Sequence, residues 1–284
     1  MTFSIVAFDK KTREWGIAVQ SKFVAVGAVV PFAVAEIGAI ATQALANTSY
    51  GPKGLTLLSM GFTARQTIDI LTKDDEDKEQ RQIGIIDKYG NPASFTGEEC
   101  FDWAGHIIGE DYCCQGNILA SENVVKDMAN SYENTPGDLI DKLFAALEAG
   151  QAAGGDKRGR ESVAILIVKE KGAYDGGTDI YLDIRVDEHP YPIKELRKVF
   201  EVYDLCILNR EDPSDILELK GDVLKKVKEV LKNSDFYSGK IDGNYDTQTK
   251  EALTKWLHTN NFEAKERNDE YIWGSIYRYM TKTN

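Results

Sequence analysis

The sequence predicts an α+β protein, with an antiparallel layered domain first and a small all-α domain after it. Short β-like runs in the first ~200 residues are joined mostly by hairpin turns, without a regular βαβα beat. Amphipathic helical stretches interrupt those runs in two places. After Val186 the composition shifts to helix-rich, lysine-rich and glycine-poor text.

The elements follow in order. Phe3 to Phe8 is an apolar run ending at Asp9, Lys10 to Glu14 is a polar turn, and Trp15 to Ser21 returns as a second strand. Val24 to Glu36 and Gly38 to Ala44 read as two further strands. Leu55 to Met60 reads as a short helix, and Thr63 is a good N-cap for a second over Ala64 to Leu71. Gln82 to Asp87 and Pro92 to Thr96 flank the turn Tyr89-Gly90-Asn91. Ile107 to Asn117 reads as another hairpin. Val124 to Asn130 and Pro136 to Gly150 are helical, the latter with Leu139, Leu143, Ala146 and Leu147 at helical spacing. Ser162 to Lys169 and Asp179 to Val186 are strands, and Ile193 to Leu205 is a helical strap. Asn209 to Ser214, with Pro213, reads as a linker, so domains are expected over 1–209 and 210–284.

The 284 residues are ample for two domains, and 42% hydrophobic content can build a core. A formal net charge of −12 argues against nucleic acid or an anionic membrane as partner. No apolar run approaches the ~20 residues of a membrane span; Pro31, Glu36 and Gln43 break up Phe23 to Ala46. No basic segment precedes an apolar one at the start, so no export signal is expected. Cys100, Cys113, Cys114 and Cys206 lack zinc spacing and read as reduced thiols of a cytoplasmic protein.

Thr2 is the leading catalytic candidate. It follows an initiator methionine of the kind removed before small residues. Removal would put a hydroxyl and an α-amine of pKa near ~8 on one residue, a nucleophile with its own base. Asn47, Thr48 and Ser49 form a polar triplet after an apolar strand, read as an oxyanion-binding loop as well as a helix cap. His106, in Trp103-Ala104-Gly105-His106, is taken as a substrate contact, and His189 as a turn residue. Gln115 and Asn117 flank a glycine and suit a polar, uncharged ligand and a tight turn equally well. Asp156, Lys157, Arg158 and Arg160 form a charged loop that reads equally as a solvated loop and as an anion clamp with Asp156 as an amine anchor. The carboxylates Glu98, Glu99, Asp102, Glu110 and Asp111 match no metal-binding pattern and read as a solvated face.

Several segments together resemble domain-of-unknown-function family 1028, an Ntn-hydrolase-like group. They include Thr2 to Asp9, Gly16 to Phe23, Gly38 to Leu55, Phe95 to Cys100, Trp103 to His106, Gln115 to Ala120, Gly154 to Ser162 and Tyr181 to Pro190. The resemblance spans about residues 1 to 205. It implies a four-layer αββα sandwich with an N-terminal nucleophile. It also implies supporting roles for Asp156 and Ser162, and substrate contacts at Gln20 and Ser21. Gln20 stands where proteasome-type relatives carry an aspartate, and their lysine near Phe32 or Ala33 has no counterpart. A neutral amide there can orient a partner but cannot tune a proton balance.

Val227 to Leu257 resembles a small three-helix peptidoglycan-binding-like domain, through Tyr237, Gly239, Ile241-Asp242-Gly243, Tyr245, Thr249, Ala252-Leu253 and Trp256. Ile272-Trp273-Gly274 resembles the start of its closing helix. Packing and assembly are expected of this module ahead of glycan binding.

The expected function is hydrolysis of an amide bond in a small metabolite, with no metal or organic cofactor and with a homo-oligomeric chain. Two alternatives stand beside it: an inactive Ntn fold used for binding or assembly, and a cell-wall-fragment binder acting through the C-terminal domain.

Overall fold

The computed structural model describes residues 2–282. Two compact units divide at Lys198 and Val199, with the sequence-based cut at 209/210 falling later.

In the first unit, β1 (Thr2–Asp9) and β2 (Glu14–Ser21) form a hairpin. Asp9 closes its turn by accepting the backbone N–H of Lys11 and Thr12. Next come β3 (Pro31–Val34) and β4 (Gly38–Ala44), then α1 (Tyr50–Ser59) and α2 (Ala64–Lys73). β5 (Arg81–Asp87), β6 (Pro92–Thr96), β7 (Gly105–Gly109) and β8 (Tyr112–Asn117) follow. α3 (Asn123–Asn134) and α4 (Leu139–Ala152) precede β9 (Ser162–Val168) and β10 (Ile180–Val186). α5 (Pro192–Cys206) carries the chain across the division.

One sheet has the order β10-β9-β2-β1-β8-β7 and the other β3-β4-β5-β6, with every neighbouring pair antiparallel. Strand alternation sorts the faces. Val6, Trp15, Ile17 and Val19 of the first sheet form one buried cluster with Ala39, Ala41 and Ile86 of the second. Leu139 and Leu143 of α4 press on Gly16 from the other side of the first sheet. Tyr50, Leu58 and Ile68 of α1 and α2 cluster with Ile40, Ile83 and Ile85 on the outer face of the second. The layers therefore run helix, sheet, sheet, helix, the αββα arrangement that the resemblance implies. Fully burying one such large apolar side chain contributes about 1.5–3 kcal/mol before entropy is set against it.

Two local expectations differ from the structure. Val24 to Glu36 is not one strand: Ala25 adopts a left-handed φ of 52°, a 3-10 turn spans Val26–Ala28, and only Pro31–Val34 is extended. Apolar composition alone cannot distinguish a strand from a looped segment packed on a core. The helix expected at Leu55 starts earlier, at Tyr50. Gly51 makes that possible, because a Cβ there would lie 2.2 Å from Phe32. The cap at Thr63 is as expected, and with Gln66 it forms a full capping box.

The second unit pairs β11 (Ile216–Glu218) with β12 (Tyr271–Trp273). Around this ribbon lie α6 (Gly221–Asn233), α7 (Thr247–Thr259) and α8 (Gly274–Thr281). Leu224, Val227, Leu231, Leu253, Trp256 and Ile276 form its core. Asp246 caps α7 by accepting the N–H and hydroxyl of Thr249, which explains a threonine at the helix start. Lys228 is fully buried, and its ammonium donates to Asp242 Oδ1 at 2.7 Å and to the Asn244 carbonyl at 2.6 Å. The Asp242-Gly243 turn is thus tied to α6 by charge-assisted hydrogen bonds. No described helix is long and apolar enough to cross a membrane.

Candidate active site around Thr2

The site lies between the sheets, at the strand ends where β1 begins. Register puts Thr2 beside Ser21 on β2 and Asn117 on β8, and Ser21 beside Ser162 on β9. Directly paired residues share a face, so Asn117, Thr2, Ser21 and Ser162 form one row across the inner face. Thr2 is 6% exposed, and its Oγ1 lies 3.1 Å from Ser21 Oγ.

A second row faces it. Gln43 on β4, Gln82 on β5 and Thr96 on β6 are directly paired. Gln82 joins the sheets: its Oε1 accepts from Gln43 Nε2 at 2.8 Å and Asn117 Nδ2 at 3.0 Å. Its Nε2 donates to the Gly116 carbonyl at 2.8 Å, Thr96 Oγ1 at 3.0 Å and the Gly105 carbonyl at 3.1 Å. One step deeper, Gln115 Nε2 donates to Ser4 Oγ and Ser4 Oγ to Gln43 Oε1, each at 2.6 Å. Gln115 lies so close to β5 that a Cβ at Gly84 would meet its Oε1 at 2.3 Å. Buried amides bonded to one another across two sheets hold the strand ends in one arrangement, though Gln115 Oε1 has no hydrogen-bond partner among the described residues.

Two clefts open at these strand ends. The larger, about 470 Å³, is lined by Thr2, Ser21, Phe23, Val26, Val30 and Arg81 among others. The smaller, about 170 Å³, includes Asn117, Glu99 and Arg158. Ala44 and Leu45 line both.

Asp156 and Ser162 shape the larger cleft from behind. Asp156 accepts the backbone N–H of Lys22 at 2.9 Å and of Arg158 at 2.8 Å. Ser162 Oγ accepts the N–H of Val26 at 3.0 Å and donates to the Phe23 carbonyl. Both therefore fix segment 22–26, which supplies Phe23 and Val26 to the cleft wall. Gln20 lies elsewhere: it pairs with Phe3, on the face opposite Thr2 and toward the helices, where its buried amide has no hydrogen-bond partner among the described residues. The change of face follows from its odd offset from Ser21.

The Asn47 triplet is also away from Thr2. Asn47 Oδ1 accepts from the N–H and hydroxyl of Ser49, and its Nδ2 donates to Asp75 Oδ2 at 3.2 Å. Thr48 is exposed. Asn47 lines a separate 640 Å³ cleft with Tyr50 and Asp75, against α1 and α2. His106 pairs with Gln115, two strands from β1, and its Nδ1 lies 2.9 Å from Thr96 Oγ1. Ser21, Asn117 and Ser162 thus share the row of Thr2, while Gln20, Asn47, Thr48, Ser49 and His106 do not.

Sequence reasoning missed Gln43, Gln82, Arg81 and Asp75. Amides at inward positions of otherwise apolar strands were the available signal for the first two. Arg81 connects the clefts: it donates to the Leu45 carbonyl and, from Nε, to Asp75 Oδ2 at 3.1 Å. The Arg81 guanidinium, joined by hydrogen bonds from Tyr50 and Asn47, holds the Asp75 carboxyl below its usual range. Burial, with the Asp75 charge, pushes the Tyr50 phenol well above its own. Among the described residues no group of three or more His, Cys, Asp or Glu side chains could hold a metal ion.

Comparison with known proteins assigns the family. The model described as "Family of unknown function (DUF1028)" matches residues 2–196, and the chain belongs to that family. The model described as "Putative peptidoglycan binding domain" matches residues 206–280. No curated protein matches the chain. The crystal structure of protein SPO2555 from Silicibacter pomeroyi, also DUF1028, is similar at 28% identity and TM-score 0.66, covering 72% of this chain and 89% of that one. Anbu (ancestral beta-subunit) from Yersinia bercovieri aligns at 14% identity and TM-score 0.33, covering 70% of this chain and 93% of that one.

Proposed function

We propose that the protein is an amide hydrolase whose nucleophile is the Thr2 hydroxyl, in a form of the chain that begins at Thr2. One observation carries this reading: Thr2 starts an inner-sheet strand with its Oγ1 beside a 470 Å³ cleft and 3.1 Å from Ser21 Oγ. Met1 lies outside the described residues. Its removal would free an α-amine next to the hydroxyl.

In the proposed reaction that amine takes the Oγ1 proton as Oγ1 bonds to the amide carbonyl carbon. The carbonyl electron pair moves onto oxygen. Its return breaks the C–N bond, and the amine passes its proton to the departing nitrogen. Water then attacks the ester on Thr2 while giving a proton to the α-amine. The acid leaves as that proton returns to Oγ1. Ser21 orients the Thr2 hydroxyl, and Asp156 and Ser162 hold the cleft wall. The oxyanion role expected of Asn47 is withdrawn, because Asn47 lines another cleft.

The test compares the unsubstituted chain with Thr2→Ala and Thr2→Ser against a panel of small amides. Hydrolysis lost in the alanine variant and retained in part by the serine variant is the expected pattern. Unchanged hydrolysis in Thr2→Ala would remove the mechanism.

A second reading, a fold used for binding alone, is favoured by Gln20, a neutral amide facing away from Thr2. For residues 206–280 the family description supports a cell-wall fragment as ligand. Titrating a soluble muropeptide into the full chain tests that separately from Thr2.

A further inference from the structure

Both clefts at the strand ends are lined mainly by apolar side chains. Phe23, Val26, Val29 and Val30 wall the larger, and Phe101 and Ile118 the smaller. Leu45 lines both, so the two adjoin along it. Its backbone is held there: Ala44 turns the chain with a left-handed φ of 71°, the Leu45 N–H donates to the Gln80 carbonyl at 3.2 Å, and the Leu45 carbonyl accepts from Arg81. Even so, Leu45 is 54% exposed, Phe23 50% and Phe101 68%. Large apolar side chains open to water are ordinary when scattered, but gathered around one site they mark a surface that a ligand covers.

The charged residues that line the clefts are Arg81, Arg158 and Glu99. Both cations are already engaged. Arg81 donates to Asp75, Asp77 and the Leu45 carbonyl, and Arg158 lies 3.4 Å from the buried Asp156 carboxylate. Glu99 is exposed, where solvent and salt screen a single charge.

From this we infer that the substrate is an uncharged amide with an apolar group on each side of its C–N bond, one group in each cleft and Leu45 packed against both. The inference rests on the Thr2 reading above. Thr2 lines the larger cleft and its register partner Asn117 the smaller, so an amide bond held at Thr2 directs one substituent each way. The larger cleft, about 470 Å³, lies within the range of about 300–1,000 Å³ usual for small-molecule sites, and the smaller, about 170 Å³, takes the shorter group. A charged end in either cleft would give up hydration without gaining a partner. Hydrolysis consumes one water, whose hydroxyl goes to the acyl carbon and whose proton goes to the departing nitrogen. The products are a carboxylic acid and an alkylamine. Both ionise in neutral water, and the apolar clefts then hold them poorly, which favours release.

The test uses the full chain with N-butylhexanamide, hexanamide, N-butylacetamide and N-hexanoyl-4-aminobutyrate. Binding is read by calorimetry and hydrolysis by amine release. N-butylhexanamide is expected to bind tightest and to release butylamine. Each buried methylene contributes about four-fold in affinity, so removing the butyl group or shortening the acyl chain to acetyl should each weaken binding by about ten-fold or more. The carboxylate of N-hexanoyl-4-aminobutyrate should weaken it by about ten-fold or more as well. Leu45→Ala should reduce both apolar preferences, and Phe101→Ala only the one whose group occupies the smaller cleft. Both side chains are exposed enough to be replaced without opening the core. Equal binding of N-butylhexanamide and hexanamide, a carboxylate analogue that binds as well as N-butylhexanamide, or preferences untouched by Leu45→Ala would overturn the inference. If an electrophile still labels Thr2 in that case, the nucleophile reading stands without this substrate class. Binding with both preferences but no butylamine release keeps the cleft assignment and removes the Thr2 chemistry instead.

Discussion

Thr2 Oγ1 and Ser21 Oγ lie 3.1 Å apart across the β1–β2 ladder, side by side at the mouth of the apolar cleft. The contact ties the Thr2 side chain to Ser21. Ser21→Ala should therefore slow acylation of Thr2 by about ten-fold while costing only about 1 kcal/mol of stability. Single-turnover labelling and urea unfolding on the same variant separate the two effects. Equal labelling rates would show that Ser21 does not orient the nucleophile.

Gln82 is the joint between the sheets. Gln82→Leu leaves Gln43 Nε2, Asn117 Nδ2 and the Gly105 and Gly116 carbonyls without this partner. A loss of about 3 kcal/mol is expected, because buried polar groups left unmade cost their desolvation. Denaturant unfolding measures it, and a change below about 0.5 kcal/mol would contradict the network's structural role.

Asp75 gives a pH signature. Its folded pKa is depressed by Arg81, so the stability it contributes is present above the ordinary carboxylate range and is lost as pH falls through the folded value. The unsubstituted chain should lose more stability than Asp75→Asn on acidification below about pH 4, the unfolded pKa of aspartate. At neutral pH the substitution should cost about 2 kcal/mol. Parallel acid dependences for the two proteins would contradict the Arg81 pairing.

In the second unit, Lys228→Met keeps the buried stem of Lys228 and removes the ammonium that ties α6 to Asp242 and Asn244. Amide exchange in Asp242 to Tyr245 should rise by ten-fold or more, on the scale of about 1.5–3 kcal/mol for hydrogen bonds to a charged group. Unaltered exchange there would place the loop's order elsewhere.

Strand alternation made much of this fold legible. Phe3 to Phe8 and Trp15 to Ser21 read directly as a hairpin, and Thr63 with Gln66 announced α2. Segment 22–30 was not legible, because its apolar residues pack on the core from a looped backbone held by Ser162 and Asp156. The site was half legible. Thr2 stood out as a candidate by its residue type, and Ser162 was flagged by resemblance. Which residues meet is a matter of register, however, and a single offset turns Gln20 away from Ser21. Asn47 sits next to the right strand in sequence yet turns into the α1–α2 cleft, because Asp75 and Ser49 hold it there.

The most direct measurement is the intact mass of the native protein, before and after an electrophile that acylates N-terminal threonines, with the modified residue located by fragmentation. The account predicts a chain that lacks Met1 and carries one label, on Thr2. A chain that keeps Met1 under normal methionine processing, or a label found anywhere but Thr2, would contradict it.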